Sequence, residues 1–346
     1  MAHLSTRTRK TIFFLCVLLL CTVAGIWALI YAWSQKTTNT SEVELYIPHG
    51  STFNSVVDSL NAHNCIGNQR IFTLMAKIRQ YKDAVKPGHY SLNANSAYWN
   101  TLTKLYYGNQ DPVHITINKH RTAKSLCTYL GRKLEIDAED LLSEISDSCK
   151  CSQRGFSTEN IMCMFVQNTY DVYWTVSAEK FLDRMEKEYN NFWNEKRRQK
   201  CHDLGMTPTD VTILASIVEE ETNANDEKAD IASVYLNRLH KGMLLQADPT
   251  VKYAVGDFTL KRILNKHTQI DNPYNTYVYK GLPPGPICIP GSASIDSVLA
   301  NKQTDYLYFC AKSDFSGRHA FASTLSQHTA NANAFHLELN RRKIYR

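Results

Sequence analysis

From residue 11 to residue 33 the chain reads TIFFLCVLLLCTVAGIWALIYAW, without one charged side chain. As a helix rising ~1.5 Å per residue this run is about 34 Å long, enough to cross a hydrocarbon layer of ~30 Å. Arg7, Arg9 and Lys10 precede it. The positive-inside rule makes residues 1–10 a cytoplasmic tail, residues 11–33 a single membrane crossing, and puts the rest of the chain on the far side. Trp27, Tyr31 and Trp33 suit the far interface. A cleaved signal peptide is the rival reading. Its apolar core is normally shorter and ends at a small-x-small site, which YAWSQKTTNT does not offer.

The 346 residues are 43% apolar, enough for a sizeable core and for more than one domain. Net charge is +6. Without a basic block this excludes a nucleic-acid partner, while polyanions and anionic membrane surfaces stay open. Cys16 and Cys21 lie in the apolar run and eight cysteines follow it. An oxidising compartment permits disulfides, but the spacings form no regular framework. Cys149 and Cys151 have no second pair at zinc-ligand spacing, so neither metal nor cofactor is expected, and most thiols read as small buried side chains.

Residues 34–42 are polar and read as a linker. Residues 43–50, VELYIPHG, alternate like a strand and stop at Pro48 and Gly50. Ser51 then caps a helix with Phe53, Val56, Val57 and Leu60 at helical spacing. A second helix over 68–79, a strand in KPGHYSL and a helix over 97–107 complete a module spanning 43–112. It resembles the small strand–helix–helix–strand modules of the LysM kind, which bind N-acetylglucosamine-containing glycans and are otherwise compact packing units. Strand, polar turn and amphipathic helix recur from Val113, so residues 113–164 form a connecting α/β region. Residues 177–201 predict one long helix whose Tyr189, Phe192 and Trp193 pack on the core.

The densest chemistry lies beyond Met206. In ILASIVEEETNANDE three glutamates end an apolar helical run. Advancing ~100° per residue, Val211, Ile213, Leu214, Ile217 and Val218 centre near ~290°, with Glu221 at ~280°, Glu220 at ~180° and Glu219 at ~80°. Glu221 therefore points inward. A carboxyl in an apolar site keeps its proton towards neutral pH and can donate it to a leaving oxygen. The competing reading is a helix-end glutamate neutralised by a buried cation, with Arg238 the candidate. A second amphipathic helix carries Ile231, Val234, Tyr235 and Leu239. LQADPTVKYA sets Gln246, Asp248 and Thr250 among apolar neighbours, with Asp248 also a candidate cap. NPYNTYVYKGLPPGPICIPG, residues 272–291, is a long aromatic loop rich in Gly and Pro. Residues 306–314 read as a strand. His319 and His328 follow it, without an acid in place for a Ser-His-Asp triad.

ILASIVEEET, IASVYLNRL, GMLLQADPTVKYA, NPYNTY, GLPPGPI, YLYF and the H-x-F at His319 to Phe321 occur together and in this order. With them the chain resembles the endolytic murein transglycosylase, YceG-like, family over residues 165–346, while the N-terminal half resembles it only in architecture. Gln167 stands where the family commonly has proline, a departure expected to be remote from the glutamate. The resemblance implies an α+β fold class: a single N-terminal transmembrane helix, a LysM-like α/β module, then a mixed α+β catalytic domain. The family's catalytic glutamate is the second in I-x-E-x-E, filled here by Ile217, Glu219 and Glu221. It lands on Glu221, the residue the helical count selects.

The implied activity is lytic cleavage of nascent peptidoglycan between N-acetylmuramic acid and N-acetylglucosamine, leaving 1,6-anhydro ends and needing no cofactor or metal. Gln246, Asp248, Thr250, Asn275 and Tyr277 are expected to line the cleft. The expected location is the bacterial inner membrane, single-pass, with the catalytic domain in the periplasm. Peptidoglycan glycan strands and peptidoglycan synthases are the expected partners. A non-catalytic glycan-binding scaffold and a two-carboxylate hydrolase are the alternatives.

Overall fold

The computed structural model describes residues 6–260 and 262–342. The chain divides into two compact units. One runs to Val113 and takes in Asp171–Thr175; the other comprises His114–Tyr170 and the chain from Val176 on. Residues 114–164 thus share a unit with the chain after 165 apart from Asp171–Thr175.

In the first unit α1 (Thr6–Ser34) is a 29-residue helix. It is long and apolar enough to cross a membrane, and none of its apolar window is buried in the protein. The module that follows is built from β1 (Val43–Ile47), α2 (Phe53–Ala62), α3 (Gln69–Ile78), β2 (Gly88–Leu92) and α4 (Tyr98–Tyr107). β1 and β2 pair antiparallel, Val43 opposite Leu92 and Ile47 opposite Gly88. Alternation in β1 sends Leu45 and Ile47 inward, where they meet Val56, Val57 and Leu60 of α2, Phe72 and Met75 of α3, and Leu102 and Leu105 of α4. Each helix buries one stripe, the pattern visible in the sequence. The α2 cap is Thr52 rather than Ser51: its side chain accepts from the Ser55 N–H while the Ser55 hydroxyl accepts from the Thr52 N–H.

The polar segment after α1 is not a free linker. Thr37 N–H donates to Ser96 O (2.7 Å), Thr38 N–H to Cys65 O (3.2 Å), and Tyr98 N–H to Gln35 O (3.1 Å). Thr37 and Asn39 are buried. A polar composition signals solvation only when the backbone has no partner, and here the module supplies one.

From Val113 the chain forms β3 (Val113–Ile117), α5 (Ala123–Gly131), α6 (Ala138–Ser146) and α7 (Ser148–Gln153); β4 (Asn168–Val172) pairs with β3. The expected long helix over 177–201 is two, α8 (Ala178–Phe192) and α9 (Glu195–Asp203). Asn194 breaks it by capping α9, its side chain accepting from Arg197 N–H. Arg197 and Arg198 then close the C-terminus of α8 through the carbonyls of Phe192 and Trp193. Tyr189 and Trp193 pack in the core.

Next come α10 (Pro208–Glu221), α11 (Lys228–His240), α12 (Asp248–Val255), α13 (Asn265–Thr268), α14 (Ser292–Leu299), the antiparallel pair β5 (Tyr308–Ala311) and β6 (His319–Ala322), and α15 (Leu325–Arg341). Thr207 and Asp210 cap α10 reciprocally, and Pro208 opens its first turn. Every residue from Val211 to Val218 is buried, because α11, α12 and α14 pack around α10. A helix enclosed on all faces has no single apolar arc, so Glu219 and Glu220, far round the helix from that arc, also meet protein.

Candidate active site

The three glutamates ending α10 each meet a different neighbour. Glu219 accepts from Lys228 Nζ (2.9 Å) and from the Ser294 hydroxyl. The Lys228 side chain is only 6% exposed and that of Glu219 17%, so this ion pair is nearly dry. Glu220 accepts from Arg121 through both oxygens (3.0 and 2.9 Å), and Lys119 Nζ stands 3.3 Å away. Burial alone would raise the Glu220 carboxyl, but the Arg121 hydrogen bonds and the charges of Lys119 and Arg121 outweigh it and hold it below the usual range.

Glu221 differs. Tyr235 OH donates to its Oε1 at 2.6 Å, and among the described residues its Oε2 has no hydrogen-bond or ion-pair partner. The residue keeps some surface in contact with solvent, yet desolvation dominates its titration. Burial pushes the carboxyl up to about 7. The Tyr235 hydrogen bond opposes this, the Asp248 carboxylate reinforces it, Lys252 opposes it, and Glu220 adds a further push upward. Arg238 is not the neutralising cation. Its guanidinium donates to Leu307 O (2.7 Å), Leu245 O (2.8 Å) and Leu244 O (3.3 Å), tying α11 to the segments that follow it.

Tyr235 is 1% exposed and its ring stands edge-on to Phe309 at 5.9 Å. A buried phenol needs a partner for its hydroxyl, and here that partner is the carboxyl. Sequence reasoning placed Tyr235 in an apolar stripe. The only local signal was a hydroxyl-bearing ring among Ile, Val and Leu. Arg121, Lys119, Lys228 and Ser294 were also missed, because each arrives from an element that no local pattern ties to α10.

The five expected cleft residues separate. Gln246 and Asp248 are exposed and Tyr277 is half-buried. Tyr277 OH donates to Asp248 Oδ1 at 2.6 Å, and burial together with that carboxylate raises the phenol well above its ordinary value. Asp248 is the first residue of α12 and not its cap, which is Ala247. Gln246 has φ 51°, a left-handed conformation that turns the chain into α12. Thr250 and Asn275 do not line a cleft. Both are fully buried. Thr250 Oγ1 donates to Ala247 O (2.6 Å) and shares a hydrogen bond with Thr276 Oγ1. Asn275 Nδ2 donates to Thr268 O and Ile270 O, and its Oδ1 accepts from Tyr277 N–H. These two residues brace the loop that presents Tyr277.

That loop is fastened to α10 by buried polar groups. Ile287 N–H donates to Ser216 Oγ (3.0 Å), which itself donates to Ile213 O. Gln167 Nε2 donates to Ile289 O (2.7 Å). Gly291 borders both Gln167 and Glu219, so a Cβ there would meet Gln167 Oε1 at 3.5 Å and Glu219 Oε2 at 3.6 Å. Gln167 thus comes close to Glu219 across Gly291. His319 Nδ1 lies 3.2 Å from Glu227 Oε2, an acid the sequence did not reveal. Among the described residues no group of three or more His, Cys, Asp or Glu side chains is placed to hold a metal.

The model of the YceG-like family matches residues 45–334. The chain belongs to the YceG-like family. It is similar to the endolytic murein transglycosylase of Bacillus subtilis, 29% identical over 312 residues that cover 85% of this chain and 84% of that protein. The endolytic murein transglycosylase of Streptococcus pneumoniae D39 is 26% identical over 323 residues, 84% of this chain but 57% of its own length. The crystal structure of a putative yceG-like protein from Listeria monocytogenes is 27% identical, with a TM-score of 0.57 over 84% of this chain and 98% of that one. The YceG-like match takes in the module, α10 to α14 and both strands of the last sheet, so the three glutamates sit well inside it.

Proposed function

We propose that this chain is an endolytic peptidoglycan lytic transglycosylase, held to the bacterial inner membrane by α1 with the chain that follows α1 on the periplasmic side. The observation that carries this reading is Glu221: a carboxyl raised to about 7, held at one oxygen by Tyr235, with no cation bound to it among the described residues. Glu221 protonates the glycosidic oxygen between N-acetylmuramic acid and N-acetylglucosamine from Oε2. The bond to the muramyl C1 breaks and the leaving sugar departs with that proton. The resulting carboxylate then takes the proton of the muramyl C6 hydroxyl, whose oxygen closes onto C1. Glu221 ends as it began, protonated, and the product carries a 1,6-anhydro end. One group serves as acid and then base because the nucleophile belongs to the substrate. Gln246, Asp248 and Tyr277 line the cleft, with Tyr277 holding Asp248 in place.

The βααβ order of residues 43–92 supports reading the module as LysM-like and able to touch glycan. Peptidoglycan synthases are the expected neighbours of an enzyme that cuts new strands. A two-carboxylate hydrolase is the competing reading, because Asp248 is near enough to influence Glu221.

The test is product analysis with purified, folded proteins. Wild type should release anhydro ends, and Glu221→Gln should lose about 10²- to 10⁴-fold in rate, the usual share of general acid–base catalysis, while still sedimenting with peptidoglycan. Free reducing ends from wild type would make the chain a hydrolase. No cleavage at all would make it a scaffold.

A further inference from the structure

The first unit carries an aromatic face with a cation at its centre. The Arg79 guanidinium lies 5.0 Å from the Trp99 ring, 5.0 Å from Tyr106 and 5.1 Å from Tyr107. Trp99 in turn packs on Trp33, in the last turn of α1, at 4.7 Å between centroids. Arg79 has no carboxylate in ion-pair reach among the described residues, and its buried Nε makes no hydrogen bond. A charge held among rings yet short of acceptors is incomplete.

Beside it, side chains that should be inside a soluble module are outside. Leu74 is 53% exposed, Ile78 58% and Tyr107 61%. Leu74 and Ile78 are one turn apart on α3, so they share a face, and Arg79 caps that helix. Lys77 is exposed in the same last turn, and Lys36 follows α1. There is no slack between this face and the helix, because residues 35–38 are hydrogen-bonded into the module.

We propose that the face bearing Leu74, Ile78, Trp99, Tyr106 and Tyr107 lies in the lipid headgroup zone of the membrane that α1 crosses, with Arg79 binding a headgroup phosphate. The proposal rests on reading α1 as a membrane span. Rings with an apolar body and a polar edge belong at this depth, and Trp33 marks where α1 reaches it. Leu74 and Ile78 enter the acyl boundary, while Lys77 and Lys36 face anionic headgroups. The module is then a footing set flat on the bilayer, not a domain swinging on a tether.

The experiment uses the full chain in phospholipid nanodiscs, with one fluorescent coumarin amino acid placed in turn at position 78, at position 58 on the exposed side of α2, or at position 19 within α1. Nitroxide-labelled lipids quench it, the label being on the headgroup or deep in the acyl chain. Headgroup label should quench position 78 at least about threefold more than position 58, and acyl label should quench position 19. Leu74→Glu, an exposed position outside the ring cluster around Arg79, should bring quenching at 78 down towards that at 58. If position 19 is quenched but 78 is no more quenched than 58, the face stands in water and the proposal is wrong. Should position 19 escape the acyl label, α1 does not span and both readings fall together.

Discussion

Carboxylates in the module and two of the three at the end of α10 meet cations or several donors, and the third, Glu221, does not. In the module Asp111 accepts from Ser91 N–H (2.7 Å) and pairs with Lys104 (2.6 Å). Burial pushes Asp111 up, but these two donors prevail and hold it below its ordinary value. Glu44 meets His89 across the β1–β2 pair. At the end of α10, Glu219 and Glu220 are treated in the same way by Lys228 and by Arg121 with Lys119. Only Glu221 is desolvated with a single neutral donor. Burial does not by itself mark an acid–base group. What marks it is burial left uncompensated by a full charge.

Removing the compensation should reveal how much each region depends on it. Lys228→Met leaves the Glu219 carboxyl without its ion-pair partner in a nearly dry site and should cost about 3 kcal/mol or more. The same change at Lys104, whose pair with Asp111 is about one-third exposed, should cost under about 1 kcal/mol. Denaturant melts of both variants check the contrast; equal losses would break it.

Glu221→Gln should have the opposite sign. The native Glu221 keeps its proton to about pH 7, against an ordinary value of 4.5. Between those values the native state binds the extra proton, so this group's stabilising contribution is full below pH 4.5 and lost as pH rises through 7. Above neutrality the buried carboxylate weighs against folding by on the order of 3 kcal/mol, a burden glutamine does not carry. The variant should melt above wild type at pH 8, and the gap should close towards pH 4.

Smaller still is Tyr235→Phe. Its hydroxyl lowers Glu221, so the variant should hold the Glu221 proton to higher pH. The alkaline fall of the cleavage rate should move upward, with a loss of a few-fold near neutrality as Oε1 loses its anchor. A merely structural role for Tyr235 would lower the melting temperature and leave the pH profile where it was.

The module was legible because Phe53, Val56, Val57 and Leu60 repeat at helical spacing against a polar remainder, and Leu45 and Ile47 alternate in β1. The α10 region was legible as a helix, and Glu221 was singled out by an angular count that treats one face as inside. That count supplied no partners for Glu219 and Glu220, because it treats one face as inside and this helix is enclosed on all of them. Their partners come from α5's approach, α11 and α14, and sequence spacing holds no trace of such meetings. Thr250 and Asn275 misled for a related reason: polar side chains in a Gly- and Pro-rich loop serve the loop's own backbone as readily as a ligand. The break at Asn194 was readable as a cap, but the run of charge around it concealed the stop.

The proposed chemistry depends on the titration of one carboxyl, Glu221. Carbon-13 NMR of glutamate side-chain carboxyls, followed from pH 3 to pH 9 in wild type and in Glu221→Gln, observes it without substrate. One resonance should titrate near pH 7 in wild type and be missing from the variant, while Glu220 titrates below the ordinary glutamate range. If every glutamate titrates in the ordinary carboxylate range, or if a neutral titration survives in the variant, Glu221 does not hold the proton this mechanism requires.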